Sequence, residues 1–259
     1  QILVQAIRIL LEEHLGLEVA HIRNFSAHVL QHNAMLAGDT DGYVSYTGTQ
    51  FTGILGMEVT EEWKDRQKIF DYVQKQWNEQ FEATWLEPFG FNNTYSIAVR
   101  RDFAEERGLQ VMSDLRGVSD SMTLAMDTVF RDRPGDGFED MNKAYGLSWR
   151  RPVIMEYGLI YRATRSGDVD AAVAYSTDGR ISAMDLVPLI DDLNVFPPYD
   201  CSLVIKTEVL ERYPQIPEIL APLIGNIDDE TMSYYNQLAD VHRQEVDDVA
   251  QQMVDELSK

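Results

Sequence analysis

Asp39-Thr-Asp-Gly-Tyr-Val-Ser-Tyr-Thr-Gly-Thr49 is the stretch whose reading decides the fold. Asp39-Thr-Asp-Gly42 has turn composition, because Asp and Gly tolerate the backbone angles that turns demand. Tyr43-Val-Ser-Tyr46 is aromatic and β-branched and reads as a strand. Thr47-Gly-Thr49 then reads as a loop at the strand's carboxyl end. Tyr46 therefore stands at the mouth of a strand. A core tyrosine lies inside a strand or helix stripe, whereas a ring beside Gly and Thr at a strand end faces a cleft.

Outward from this segment the chain alternates. Ile2, Leu3, Ile7, Leu10, Leu11 and Leu15 share one helical face, and Gly16 ends that helix. Residues 17–22 read as a short strand. Ser26 reads as the cap of a helix running to Leu36, with Gly38 as its stop. Residues 67–81 carry Ile69, Val73 and Trp77 at helical spacing, and residues 96–99 form a buried strand. The alternation then repeats, with strands at 122–126, 153–155, 169–174, 186–193 and 203–207. Helices fall at 104–108, from 113, at 137–145 and at 157–165. The end is helical, at 207–212, 217–224 and one long helix over 229–257. Two such series predict an α/β protein whose open sheets are flanked by helices. Ligands of such sheets bind outside the carboxyl ends of the strands.

A chain of 259 residues is long enough for two lobes with real cores. The net charge of −21 argues against a nucleic acid or an anionic lipid surface as partner. It favours solubility and weakly attracts cations. One cysteine, Cys201, excludes an intrachain disulfide; with no histidine near it in sequence, it reads as a small buried hydrophobe. No run reaches about 18 apolar residues, so no transmembrane helix is predicted. No nucleophile elbow, P-loop or dinucleotide fingerprint is present. His28 and His32 have the i, i+4 spacing of two metal ligands, but no glutamate follows His28 and no third ligand is evident; no metal and no cofactor are expected.

Three more tyrosines occupy polar, turn-forming contexts. Tyr95 ends Trp85-Leu-Glu-Pro-Phe-Gly-Phe-Asn-Asn-Thr-Tyr95, Tyr175 lies in Ala174-Tyr-Ser-Thr-Asp-Gly-Arg-Ile181, and Tyr199 lies in Phe196-Pro-Pro-Tyr-Asp200. Rings that face one point make a box for an organic cation. A quaternary ammonium has no N–H to donate, so ring faces, methyl contacts and negative charge are what can hold it.

These segments, together with Tyr46-Thr-Gly-Thr49, resemble the substrate-binding components of OpuC-type ABC importers for glycine betaine, carnitine, choline and proline betaine. The resemblance runs over nearly the whole chain. It implies a two-lobed, hinged periplasmic-binding-protein fold of type II, with crossings near residues 92–95 and 195–199. Lobe one would be 1–93 plus 198–259, and lobe two 94–197. It implies that Tyr46, Tyr95, Tyr175 and Tyr199 box the trimethylammonium head and that Thr49 meets the ligand carboxylate. A neutral hydroxyl there suits a betaine, where an aspartate would suit choline. Asn93, Asp178 and Arg180 fall in the matching stretches and read as structural.

The expected function is that of a non-enzymatic, extracytoplasmic receptor that delivers a compatible solute to an ABC permease, whose ATPase is a separate chain. A choline or other cation receptor, or a bilobal small-molecule enzyme, are the alternatives. The resemblance also predicts a strand and a Gly-Ser-rich turn ahead of Gln1. An export signal, a lipid anchor or fusion to a permease would then supply any membrane attachment.

Overall fold

The structure is a computed structural model that describes residues 1–22 and 28–259. The cap expected at Ser26 lies outside the described residues. In chain order the elements are α1 (Ile2–Leu15), α2 (His28–Ala37), β1 (Gly42–Tyr46), α3 (Thr47–Gly53), α4 (Arg66–Gln80), β2 (Ala83–Trp85), β3 (Tyr95–Arg100) and α5 (Arg101–Arg107). Then come β4 (Thr123–Met126), α6 (Thr128–Asp132), α7 (Phe138–Tyr145), β5 (Arg151–Ile154), α8 (Tyr157–Ser166), β6 (Ala171–Tyr175), α9 (Arg180–Ala183) and β7 (Leu186–Leu189). The chain closes with β8 (Cys201–Lys206), α10 (Thr207–Arg212), α11 (Ile216–Ile219), α12 (Asp229–Asp240) and α13 (Val246–Leu257). It divides into two compact units: residues 1–57, 65–93 and 198–259 form the first, and residues 58–64 and 94–197 the second. Residues 58–64, read from sequence as part of lobe one, group with the second unit. There the Lys64 ammonium donates to the Leu193 carbonyl at 3.2 Å.

In the first unit, β8 lies between β1 and β2 and is antiparallel to both. One face of this sheet buries Cys201, Leu203 and Ile205 with the apolar stripe of α1. Ile2, Leu3, Ala6, Ile7, Leu10 and Leu11 meet Val249, Ala250, Met253 and Val254 of α13 in the same cluster. Each fully buried aliphatic side chain of that kind stabilises the fold by roughly 1.5–3 kcal/mol. The long terminal helix expected over 229–257 is two helices. Arg243 takes a left-handed φ of 57°, and the Gln244 amide donates to the Leu238 carbonyl at 3.1 Å, which ends α12 and frees α13 to lie along α1. Residues 17–22 form no strand, and Leu17 and Ile22 are exposed.

The second unit holds a five-stranded sheet in the order β5-β4-β6-β3-β7. β5, β4 and β6 run parallel; β3 is antiparallel to both β6 and β7. The centre is dense because β6 presents Ala171, Ala172, Val173 and Ala174, all buried. Those small side chains let α8 lay Ile160 and Tyr161 directly on the sheet. β7 is shorter than the expected 186–193. After Leu189 the chain turns, and the Asp191 carboxylate accepts from the Val195 and Phe196 amides at 3.0 and 3.1 Å and from the Tyr145 hydroxyl.

Candidate functional site

Strand direction gives the second unit its functional edge. The carboxyl ends of β4, β5 and β6 and the start of β3 lie along the same side of the sheet. Tyr95 opens β3, Tyr175 ends β6, and the two are cross-strand partners. Their ring centroids are 4.8 Å apart with planes tilted 40°, and the Tyr175 hydroxyl donates to the Tyr95 hydroxyl at 3.4 Å. A period of two residues per pleat thus puts both rings on one face.

Further rings extend the pair. Phe130 of α6 stands 4.8 Å from Tyr95, and Phe196 stands 5.5 Å from it. Tyr157, the first residue of α8, meets Tyr175 edge-on at 5.1 Å. Its hydroxyl shares a 2.8 Å bond with that of Tyr161 and also donates to Asp178. Arg180 binds Asp178 through Nε at 2.9 Å and Nη2 at 2.6 Å, while its guanidinium lies 4.8 Å from both the Tyr157 and Tyr161 ring centres. Asp178 and Arg180 therefore lock the rings from behind. Arg133 sits 5.7 Å over Tyr95 and is paired with the fully buried Asp136 at 2.6 Å.

Burial raises the pKa of Tyr95, Tyr175, Tyr157 and Tyr161, so all four are neutral phenols with intact ring faces at neutral pH. Burial also works against the Asp178 carboxylate, but bonds from Arg180 and Tyr157 outweigh it and hold its pKa below the usual range.

In the first unit, Tyr46 is the last residue of β1 and precedes α3 directly. The segment Thr47-Gly-Thr49, expected as a loop, is instead the first turn of α3. Its start is pinned to the 198–200 segment just ahead of β8. The Thr47 amide donates to the Asp200 carbonyl at 3.0 Å, the Thr47 hydroxyl to the Pro198 carbonyl at 2.9 Å, and the Asp200 amide to the Thr47 hydroxyl at 3.0 Å. Gly48 is obligatory there: a Cβ would stand 2.8 Å from the Pro198 carbonyl and 2.9 Å from the Tyr199 ring. Thr49 follows, partly exposed, one residue beyond the contact with Tyr199.

Tyr199 is buried, with its amide bonded to the Asn92 side chain at 2.7 Å. The Asn93 amide donates to the Tyr199 carbonyl at 3.2 Å. Tyr46 packs edge-on against Phe91 at 6.4 Å, and its hydroxyl is raised well above the usual phenol range by burial, with Cys201 and Asn93 as hydrogen-bond neighbours. Behind this group, Arg66 donates from Nε to the buried Asp200 at 3.0 and 3.2 Å.

Of the five expected site residues, the second unit brings Tyr95 and Tyr175 together. The first groups Tyr46, Thr49 and Tyr199 around the β1–α3 junction. Sequence reasoning missed Tyr157, Phe130 and Phe196 as neighbours of the pair. Tyr157 and Tyr161 carried a signal in their i, i+4 spacing on α8, but their contact with Tyr175 depends on the strand order. His32 is buried against Tyr43, Trp77 and Phe81, with Nδ1 3.1 Å from the Tyr43 hydroxyl, and so belongs to the core.

Two α/β units with tyrosine rings gathered at strand ends are the build of a solute-binding protein. The sequence profile of OpuAC, the substrate binding domain of ABC-type glycine betaine transport system, matches residues 1–256, and the chain belongs to that family. It is 38% identical over 255 residues to the carnitine transport binding protein OpuCC of Listeria monocytogenes, covering 98% of this chain and 82% of that one. The ergothioneine transport permease/ergothioneine binding protein EgtU of Helicobacter pylori is 32% identical over 227 residues, 87% of this chain and 40% of EgtU. A crystal structure of a glycine betaine/carnitine/choline ABC transporter superposes with a TM-score of 0.86 at 33% identity, over 98% of this chain and 93% of that one. The chain is thus a two-unit α/β solute-binding protein and a receptor rather than an enzyme, as the sequence implied. Among the described residues no helix is long and apolar enough to cross a membrane.

Proposed function

We propose that this chain is the extracytoplasmic receptor of an ABC importer and that it captures quaternary-ammonium compatible solutes, with glycine betaine and carnitine preferred to choline. The observation that carries this reading is the Tyr95–Tyr175 cross-strand pair at the strand-end edge, backed by Tyr157 and kept neutral by burial. Aromatic faces attract a cation that cannot donate hydrogen bonds, by roughly 0.5–2 kcal/mol each.

In this reading Tyr46, Tyr95, Tyr175 and Tyr199 are the ring residues for the trimethylammonium group. Thr49 gives a neutral donor to the carboxylate. The two units serve as the two lobes of the receptor, and the loaded protein delivers its solute to a permease driven by a separate ATPase. The 32% identity to EgtU supports ergothioneine as a further solute to try.

Titration calorimetry with glycine betaine, carnitine, choline and ergothioneine tests the reading. Micromolar binding of at least one solute, about −8 kcal/mol, weakened by Tyr175→Ala, is expected. Binding of none, or affinity untouched by Tyr175→Ala, overturns it.

A further inference from the structure

Among the buried and partly buried carboxylates of the second unit, Asp136, Asp178 and Asp191 each accept from a side chain. Asp136 is paired with Arg133, and Asp178 with Arg180 and Tyr157. Asp191 accepts from Tyr145 and two backbone amides. Asp127 is different. It is partly buried, it follows β4 directly, and among the described residues it makes no ion pair.

Its place is set by register. β4 runs parallel to β6 with Ala125 opposite Ala172, so two more residues along each strand lead to Asp127 and Ala174, next to Tyr175. Oδ1 of Asp127 caps α6 by accepting from the Phe130 amide at 2.7 Å, and the Phe130 ring, tilted 53°, lies 4.8 Å from that of Tyr95. The cap holds the carboxylate at the carboxyl end of β4, on the edge of the sheet where Tyr95 begins β3 and Tyr175 ends β6. Burial raises the pKa of each phenol, and the charge of Asp127 adds to the rise in both.

We propose that Asp127 is the counter-charge for the cationic head of the solute and a determinant of selectivity between cationic and zwitterionic ligands. The inference rests on the reading of the tyrosines as an ammonium site. A carboxylate partly shielded from water acts through a lower effective dielectric than a surface one and is screened less by salt. Choline carries a net charge of +1, while glycine betaine is a zwitterion whose carboxylate the same charge repels. One negative charge at this place therefore favours choline more than glycine betaine. It tempers the betaine preference that a neutral Thr49 confers and keeps the receptor broad.

Asp127→Asn separates the charge from the cap, because asparagine caps helices as well as aspartate does. Calorimetry would compare wild type, Asp127→Asn, Asp127→Ser as a second neutral cap, Glu156→Gln and Tyr175→Ala, with choline and glycine betaine at two ionic strengths. Glu156 is an exposed carboxylate that directly precedes α8, so its variant removes the same net charge from a solvated position.

Expected is a loss of choline affinity of roughly 5- to 20-fold in Asp127→Asn. The expected loss for glycine betaine is only about 2-fold, and choline binding should become less salt-dependent. Melting temperatures should stay near wild type, and Glu156→Gln should lie within about 2-fold of it. Equal losses for both solutes, or Asp127→Asn matching Glu156→Gln, overturn the inference. If Tyr175→Ala weakens binding while both Asp127 variants match wild type, only the inference on Asp127 falls. If the wild type binds neither solute, the ammonium reading falls and Asp127 with it.

Discussion

The two units hold their tyrosines by different physics. In the second, the rings hold one another: Tyr95 and Tyr175 are cross-strand partners, Tyr157 and Phe130 flank them, and a buried Asp178–Arg180 pair closes the back. In the first, the backbone holds the rings. Thr47, Pro198 and Asp200 exchange hydrogen bonds, Gly48 lets the Tyr199 ring approach, and the Arg66–Asp200 pair lies behind. A face made of ring contacts depends on neighbouring side chains. A face made of backbone bonds depends on a few residues that permit close approach.

The ion pairs make the largest test of that contrast. The side chains of Asp178 and Arg180 are 4% and 15% exposed, whereas Asp200 at 4% faces an Arg66 that is 53% exposed. Asp178→Ala takes the carboxylate from a mostly buried guanidinium and should cost about 3–5 kcal/mol in denaturant unfolding. Asp200→Ala frees an arginine that water can reach, and its cost should be clearly smaller. Equal costs would erase the distinction between the units.

Gly48→Ala comes next. The new methyl group would meet a carbonyl oxygen and the Tyr199 ring inside ordinary contact distance, and overpacking of this kind costs about 1–3 kcal/mol. Solute affinity should fall as well, since Tyr199 must move. A variant with wild-type melting would show that the 198–200 segment yields easily.

Third, Tyr175→Ala should lose roughly 0.5–2 kcal/mol of binding energy, and Tyr175→Phe less, because in the proposed function the ring face rather than the hydroxyl meets the cation. On the other unit, Thr49→Asp should weaken glycine betaine while sparing choline. An unchanged preference would remove Thr49 as the carboxylate contact.

The smallest effect separates the units by pH. His32 in the first unit has its pKa lowered by burial. The unfolded chain then binds the proton more readily, so this histidine's contribution is complete above about pH 6.5 and is lost as pH falls below it. The second unit contains none of the chain's five histidines. Asp178 there has a depressed pKa, so its contribution is present above about pH 3.9 and is lost as pH falls through the lower folded value. Hydrogen exchange followed from pH 7 to 5 should therefore show the His32 surroundings loosening first. His32→Gln should flatten that trend.

What the sequence alone determined is what local chemistry controls. Strand-end tyrosines, the Gly16 stop, the α1 stripe and the alternation of elements were legible because side-chain period and turn composition act over a few residues. The family was legible because four ordered segments matched it. Only the tertiary structure decided the rest. The break at Arg243 depends on α13 packing against α1. The helical first turn at Thr47 depends on bonds to Pro198 and Asp200, about 150 residues away. The β5-β4-β6-β3-β7 order places Tyr157 and Tyr95 beside Tyr175, though no short stretch of sequence contains them together. Such contacts are absent from local reading because they arise from long-range packing, which overrides propensity wherever burial offers more free energy than a single residue's backbone preference.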